Sequence, residues 1–118
     1  MTRKRLSLWI PVVLWAALIF TLSAIPSLST GLGVLDLVLR KCAHLVEYAI
    51  LGAFVLRAIA HEPLAILLSS AYAATDELHQ AFVAGRHASP VDWLIDTVGI
   101  VAGVFLLAKA RRPATQSR

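Results

Sequence analysis

An uncharged apolar stretch near the amino terminus constrains this chain more than any other feature. Residues 6–25 contain no Asp, Glu, Lys or Arg. An α-helix rises about 1.5 Å per residue, so roughly 20 apolar residues cross the hydrocarbon core of a bilayer. We therefore expect a membrane-spanning helix here. A cleaved signal peptide is the alternative because Arg3, Lys4 and Arg5 precede the stretch, but the stretch is long for such a peptide and no clear cleavage site follows.

The composition agrees with a membrane protein of one domain, residues 1–118. The chain is 58% hydrophobic and 15% charged, whereas soluble domains are about 25% charged. A soluble fold of this size could not bury so much apolar surface. The single cysteine, Cys42, excludes an internal disulfide and a cysteine-rich metal site. Basic residues lie mainly at the two ends of the chain, which favours membrane flanks over nucleic-acid binding.

Helix start and stop signals predict an all-α bundle of four helices. The helices are expected over residues 6–25, 37–60, 63–83 and 90–108, with a frayed tail at 109–118. Asp36 is a candidate N-cap for helix 2, and Pro63 suits the first turn of helix 3. Gly85 is a natural stop after helix 3. Ser89 is the expected N-cap of helix 4, followed by Pro90 and Asp92 at the first and third helical positions.

Polar residues are concentrated in one half of each of the last three helices. In an up-and-down bundle the first half of helix 2, the second half of helix 3 and the first half of helix 4 lie at one membrane face. With four spans, eight basic residues flank the other face: Arg3, Lys4, Arg5, Arg57, Lys109, Arg111, Arg112 and Arg118. Three flank the polar face: Arg40, Lys41 and Arg86. The positive-inside rule then predicts both termini inside the cell and the polar face outside.

Helical spacing places many of these polar residues on interior stripes. His44, Glu47 and Tyr48 follow the i, i+3, i+4 pattern of one helix face, and Asp76, His79 and Gln80 follow it in helix 3. Glycines continue the aspartate stripe of helix 4 and are expected to permit close helix contact. A charged group at the centre of a membrane helix costs about 2.5–3.5 kcal/mol, so such groups pair, face a wet cavity or serve a function. The predicted ligand-binding residues are Lys41, His44, Glu47, Tyr48, Asp76, Glu77, His79, Gln80, Arg86, Asp92 and Asp96.

Several interpretations of this polar set remain open. The residues can simply hold the helices together through hydrogen bonds and ion pairs. A metal site built from His44, Glu47, His79 and an aspartate has suitable ligands, but the spacing matches no established metal motif and basic residues lie nearby, so we expect no metal and no cofactor. A binding site for a membrane lipid or a lipid-linked head group is the interpretation we favour, with Arg86 available for phosphate. For catalysis, His44 or His79 beside Glu47 or Asp76 is the candidate acid–base set.

These residues resemble the VanZ-like family, small bacterial membrane proteins named for one associated with resistance to the glycopeptide teicoplanin. The resemblance covers about residues 12–108. The residues that carry it are Trp15, Ile19, Phe20, Ser23, Pro26, Arg40, Lys41, Ala43, His44, Glu47, Tyr48, Leu51, Gly52, Asp76, Glu77, His79, Gln80, Phe82, Gly85, Arg86, Asp92, Asp96, Gly99 and Gly103. One departure is Ala84, where the family often has proline before the Gly–Arg pair.

The resemblance implies a multi-pass protein of the bacterial cytoplasmic membrane. Its expected partners are a membrane lipid or a lipid-linked envelope precursor, with a glycopeptide antibiotic as a further candidate and no nucleic acid. Glycopeptides act on cell-wall precursors outside the cytoplasmic membrane, which is the face that the basic-residue count assigns to the polar set. The family implies no particular reaction.

Overall fold

A computed structural model describes residues 2–24, 33–83 and 89–111. It contains four helices: α1 (Arg3–Ala24), α2 (Val34–Ile59), α3 (Glu62–Gln80) and α4 (Pro90–Ala110). These ranges contain no strand. The predicted all-α, four-helix architecture is therefore confirmed.

Three of the helices, α1, α2 and α4, are long and apolar enough to cross a membrane. The surface of the bundle that faces away from its core is also apolar, since Val13, Leu67 and Leu106 are each more than 60% exposed. Such a surface suits acyl chains better than water. α3 is not among the three, because polar residues crowd its second half. These features are those of a membrane protein.

The side-chain contacts show an up-and-down arrangement. α1 and α3 run in the same direction, because Ala16 meets Tyr72 and, further along both helices, Phe20 meets His79. α3 and α4 run in opposite directions. Their contacts are Trp93 with Ser70 and Ser89 with Glu77. The second half of α3 consequently lies beside the first half of α4, as the polar pattern predicted.

Small residues form the contact between α2 and α4, which is the most extensive contact between any two helices. A Cβ atom placed on Gly99 would lie 2.5 Å from the backbone oxygen of Leu45, and one on Gly103 would overlap the backbone oxygen of Ala49. Because Gly99 and Gly103 have no side chain, the backbones of α2 and α4 approach each other closely. The predicted close contact of the glycine stripe is confirmed.

The helix caps agree with the sequence in α4 but not in α2. The Ser89 hydroxyl accepts a hydrogen bond from Asp92 N at 3.2 Å, which confirms the predicted cap. α2 instead begins at Val34, after Gly33, and no side chain caps it. Asp36 is therefore not the N-cap. It lies in the first turn, where a carboxylate still interacts favourably with the helix dipole.

The ends of α3 also differ in detail from the expected range. The His61 ring caps the start, with Nδ1 accepting from Leu64 N at 3.2 Å, and Pro63 occupies the first turn as predicted. α3 ends at Gln80, and residues 81–83 continue as tighter turns whose amides bond three residues back. The predicted stop at Gly85 lies outside the described residues, as do residues 112–118 of the tail.

Candidate functional site

A buried hydrogen-bonded group joins the first three helices around Asp76. The Asp76 Oδ2 atom accepts hydrogen bonds from the Tyr48 hydroxyl at 2.7 Å and from the Ser23 hydroxyl at 3.0 Å. Gln80 Nε2 in turn donates to Ser23 Oγ at 3.2 Å. All four side chains are buried. Because Asp76 accepts hydrogen bonds from two of the other three side chains, it is the centre of this group.

A second group lies where α2, α3 and α4 meet. The His44 Nδ1 atom lies 3.1 Å from Asp96 Oδ1. Glu77 joins them from α3, and each of the three side chains offers an atom within 4.8 Å of the others. Glu77 Oε2 also accepts a 3.4 Å hydrogen bond from the backbone amide of Ser89, just before α4. One imidazole and two carboxylates are thus held by three different helices.

Each of the three buried carboxylates keeps one unsatisfied oxygen. Asp76 Oδ1, Glu77 Oε1 and Asp96 Oδ2 have no hydrogen-bond partner within the described part of the chain. Asp96 is fully buried, Asp76 is 1% exposed and Glu77 is 6% exposed. Native proteins pair almost all buried polar atoms, and an unpaired one costs about 1–3 kcal/mol or more. These buried oxygens therefore receive no donor from the described residues, while the carboxyl groups of Glu77 and Asp96 lie within hydrogen-bonding reach of each other.

The Asp76 group and the His44–Glu77–Asp96 group together form the polar cluster. A partly exposed ion pair lies at its edge. Lys41 Nζ contacts Asp92 Oδ1 and joins α2 to α4. The lysine side chain is 36% exposed and the aspartate 28%. An ion pair in this position is worth little energy. Its position makes it the rim of the cluster rather than its centre.

Three predicted site residues remain besides these two groups and the Lys41–Asp92 ion pair. His79 stacks on Phe20 of α1 with ring centroids 4.1 Å apart, and its buried Nδ1 lacks a hydrogen-bond partner among the residues described. Glu47 is half-buried, and its backbone oxygen accepts from Trp15 Nε1 at 2.8 Å. Arg86 lies outside the described residues. The structure therefore brings His44, and not His79, next to a carboxylate.

Ser23 is the functional-site residue that sequence reasoning missed. It resembled a family motif position but was not predicted to bind anything. Its position could have predicted this role, because Ser23 lies in the last turn of α1, at the end of the bundle where the polar halves of the other helices meet. Its hydroxyl links Asp76 to Gln80 and so extends the network into the most apolar helix.

An apolar groove leads from the surface to this cluster. It has a volume of about 400 Å³ and runs between α3 and α4. The residues that line it are Ala74, Glu77, Leu78, Ser89, Pro90 and Trp93. Glu77 is the one charged residue among them, and the same residue belongs to the His44–Asp96 group. The groove therefore connects an open apolar surface with a buried carboxylate.

Comparison with known proteins gives one finding. No curated protein and no solved structure matches the chain. A family model described as VanZ/LLP1 matches residues 2–111, which is nearly the whole chain. The match includes every described residue of the polar cluster and the groove. The chain therefore belongs to the VanZ/LLP1 family.

Proposed function

We propose that this protein is a multi-pass protein of the bacterial cytoplasmic membrane that binds a lipid-linked or amphiphilic envelope ligand in an outward-facing polar pocket. Membership of the VanZ/LLP1 family supports a link to glycopeptide resistance, including teicoplanin resistance, or to the handling of envelope lipids. The observation that carries the proposal is the open apolar groove lined by Glu77, a residue that also belongs to the cluster of buried carboxylates.

The chemistry of the two parts defines the ligand. An alkyl or acyl chain fits the groove beside Leu78 and Trp93, where burial is worth about 0.8 kcal/mol per methylene group. A head group that carries hydroxyl, amide or ammonium donors fits beside Glu77, the one ionisable residue that lines the groove. A sugar or a peptide attached to a lipid offers both parts in one molecule. Lys41 at the rim supplies a cation for a phosphate between them.

The same proposal assigns both termini to the cytoplasm. Among the described residues, six basic side chains flank the end of the bundle opposite to the polar cluster and two, Arg40 and Lys41, flank the polar end; the six are Arg3, Lys4, Arg5, Arg57, Lys109 and Arg111. Positive charge is retained on the cytoplasmic side of the membrane. The cluster is then open to the outer leaflet, where lipid-linked wall precursors are used.

Single cysteines test this orientation. In a Cys42→Ser background, we expect Leu35→Cys, in the first turn of α2, to react with a membrane-impermeant maleimide in intact cells. Thr2→Cys, before α1, is expected to react only after the cells are permeabilised. Both positions are exposed, so accessibility is not limited by burial. The reverse labelling pattern would show that the polar cluster faces the cytoplasm.

Filling the groove tests ligand binding. We expect Leu78→Trp to weaken binding of a lipoglycopeptide or a polyprenyl-linked sugar by about tenfold or more, because a loss of about 1.4 kcal/mol, less than two buried methylene groups, is a factor of ten. Native mass spectrometry of the protein in detergent, with each compound added separately, gives the bound fraction. In bacteria that express the protein, the same variant is expected to lose protection against teicoplanin.

Leu67→Trp is the matched control for the groove variant. Leu67 and Leu78 are similarly exposed, at 64% and 65%, and both lie on α3. Eleven residues separate them, so they share a helix face at a distance of about 16 Å. A glycopeptide without an acyl chain is the matched control for the ligand. Equal binding by wild type and both variants would contradict a role for the groove.

Catalysis is a second candidate, favoured by one observation. His44 lies 3.1 Å from Asp96, the arrangement in which a carboxylate orients an imidazole for proton transfer. In this case the substrate is again a lipid-linked envelope precursor. Mass spectrometry of envelope lipids from cells with the wild-type protein and with His44→Gln separates the two functions. Binding alone leaves the lipid species unchanged, whereas catalysis produces a species that His44→Gln removes.

A further inference from the structure

We propose that His44, Glu77 and Asp96 bind a divalent first-row transition-metal ion. This inference goes beyond ligand binding in the groove and does not depend on it. It replaces the expectation from sequence spacing that the chain holds no metal. That expectation considered His44, Glu47, His79 and an aspartate as ligands, whereas the structure joins His44 to Glu77 and Asp96.

The first support is that the three side chains converge with free ligand atoms. Each offers an atom within 4.8 Å of the others. In both carboxylates one oxygen already has a contact, Asp96 Oδ1 with His44 and Glu77 Oε2 with the Ser89 amide. The second oxygen of each has no hydrogen-bond partner in the described ranges, although both side chains are more than nine-tenths buried. Buried polar atoms in proteins are almost always hydrogen-bonded or bound to a metal.

The second support is the spacing of the ligand atoms. With metal–ligand bonds of about 2.1 Å, neighbouring ligands of one ion lie about 3.0–3.4 Å apart in octahedral and tetrahedral geometry. The candidate ligand atoms of His44, Glu77 and Asp96 lie within 4.8 Å of one another, which exceeds that range by up to about 1.4 Å. Small rotamer adjustments of these side chains bring the ligand atoms to the spacing that one bound ion requires.

The ligand types select the class of ion. Imidazole suits Zn²⁺, Fe²⁺ and Ni²⁺, whereas carboxylates suit Mn²⁺ and Mg²⁺, so one nitrogen and two oxygens favour Mn²⁺, Fe²⁺ or Zn²⁺ over Mg²⁺. The ion also balances charge, since the two carboxylates face a single imidazole within the group. Because the ligands come from α2, α3 and α4, the ion links three helices.

Metal analysis of the purified protein tests the inference. The full chain is purified in detergent with a tag that contains no histidine, and its metal content is measured by inductively coupled plasma mass spectrometry. We expect about one equivalent of a transition metal per chain. After removal with a chelator, Mn²⁺ and Zn²⁺ are added back separately while thermal unfolding is followed. We expect Tm to rise and to saturate at one equivalent, with a smaller rise for Mg²⁺.

Conservative variants assign the ligands. Glu77→Gln and Asp96→Asn keep the shape of each side chain and are expected to raise the apparent Kd for Mn²⁺ about tenfold or more. Glu62→Gln, the same change at the other end of α3, is the matched control and should bind as wild type does. If a variant does not fold, the metal content and the Tm of the wild-type protein still test the inference. A metal-free wild type whose Tm is unchanged by Mn²⁺ and Zn²⁺ would overturn the inference, as would equal binding by all variants. Because no lipid is added, this result is separate from the groove experiment.

Discussion

Replacing Gly103 with leucine is expected to prevent the normal packing of α2 against α4. A single added Cβ atom already overlaps the backbone oxygen of Ala49. Backbone cannot move aside as a side chain does, so the helices must separate along their most extensive contact. Overpacking costs about 1–3 kcal/mol in ordinary cores, and we expect about 3 kcal/mol or more here. Since whole domains are stable by about 5–15 kcal/mol, the variant should unfold at a much lower temperature or fail to accumulate.

Ala102→Leu is the control for this prediction. Ala102 precedes Gly103 on α4 and is exposed, so the same added volume meets no neighbouring backbone. Thermal unfolding in detergent and the yield of monodisperse protein compare the two variants. A Gly103→Leu variant as stable as Ala102→Leu would show that the close approach of α2 and α4 does not determine stability.

The second large effect is expected at Asp76, where structural and functional roles can be separated. Asp76→Leu removes the acceptor of two buried hydroxyls, on Tyr48 and Ser23. A buried donor left unpaired costs about 1–3 kcal/mol. We therefore expect a loss of several kcal/mol in the free energy of unfolding. Adding Tyr48→Phe removes one of the unpaired donors and should restore part of the stability, because replacing both partners by apolar groups is nearly neutral.

Protection against teicoplanin distinguishes a polar cluster that binds a ligand from one that only stabilises the fold. If the cluster binds a ligand, the Tyr48→Phe/Asp76→Leu double variant recovers stability but not protection against teicoplanin. A structural network predicts that protection returns in proportion to stability. Unfolding and protection are measured for wild type, both single variants and the double variant, which together form a double-mutant cycle. Recovery of both quantities in the double variant would contradict the proposed pocket.

Local signals in the sequence were sufficient to predict the helices and one helix contact. The cap of α4 was predictable because the groups that form it, the Ser89 hydroxyl and the Asp92 amide, lie only three residues apart in the sequence. The stripe from Asp96 through Gly99 to Gly103 likewise predicted close packing, because only small residues permit it. The start of α2 was not predictable in the same way. Asp36 has the chemistry of a cap, but α2 begins two residues before it.

The partners of each polar residue depended on helix rotation, which sequence spacing does not determine. His79 was predicted to lie on the same helix face as Asp76, but two residues three positions apart point in directions that differ by about 60° around the helix axis. That difference directs His79 to Phe20 of α1. Glu77 follows Asp76 directly and points about 100° away from it, so the two acids serve different neighbours. Asp76 meets Tyr48, whereas Glu77 meets the start of α4.

The glycine contact between α2 and α4 has a mechanical consequence. Two helices whose backbones touch along Leu45–Gly99 and Ala49–Gly103 cannot slide past each other without a clash, so they behave as one rigid body. His44 and Asp96 are both mounted on that body, and their separation is fixed with it. Glu77 is carried by α3. A displacement of α3 relative to this pair would therefore change the distance from Glu77 to His44 and Asp96 and the width of the groove together.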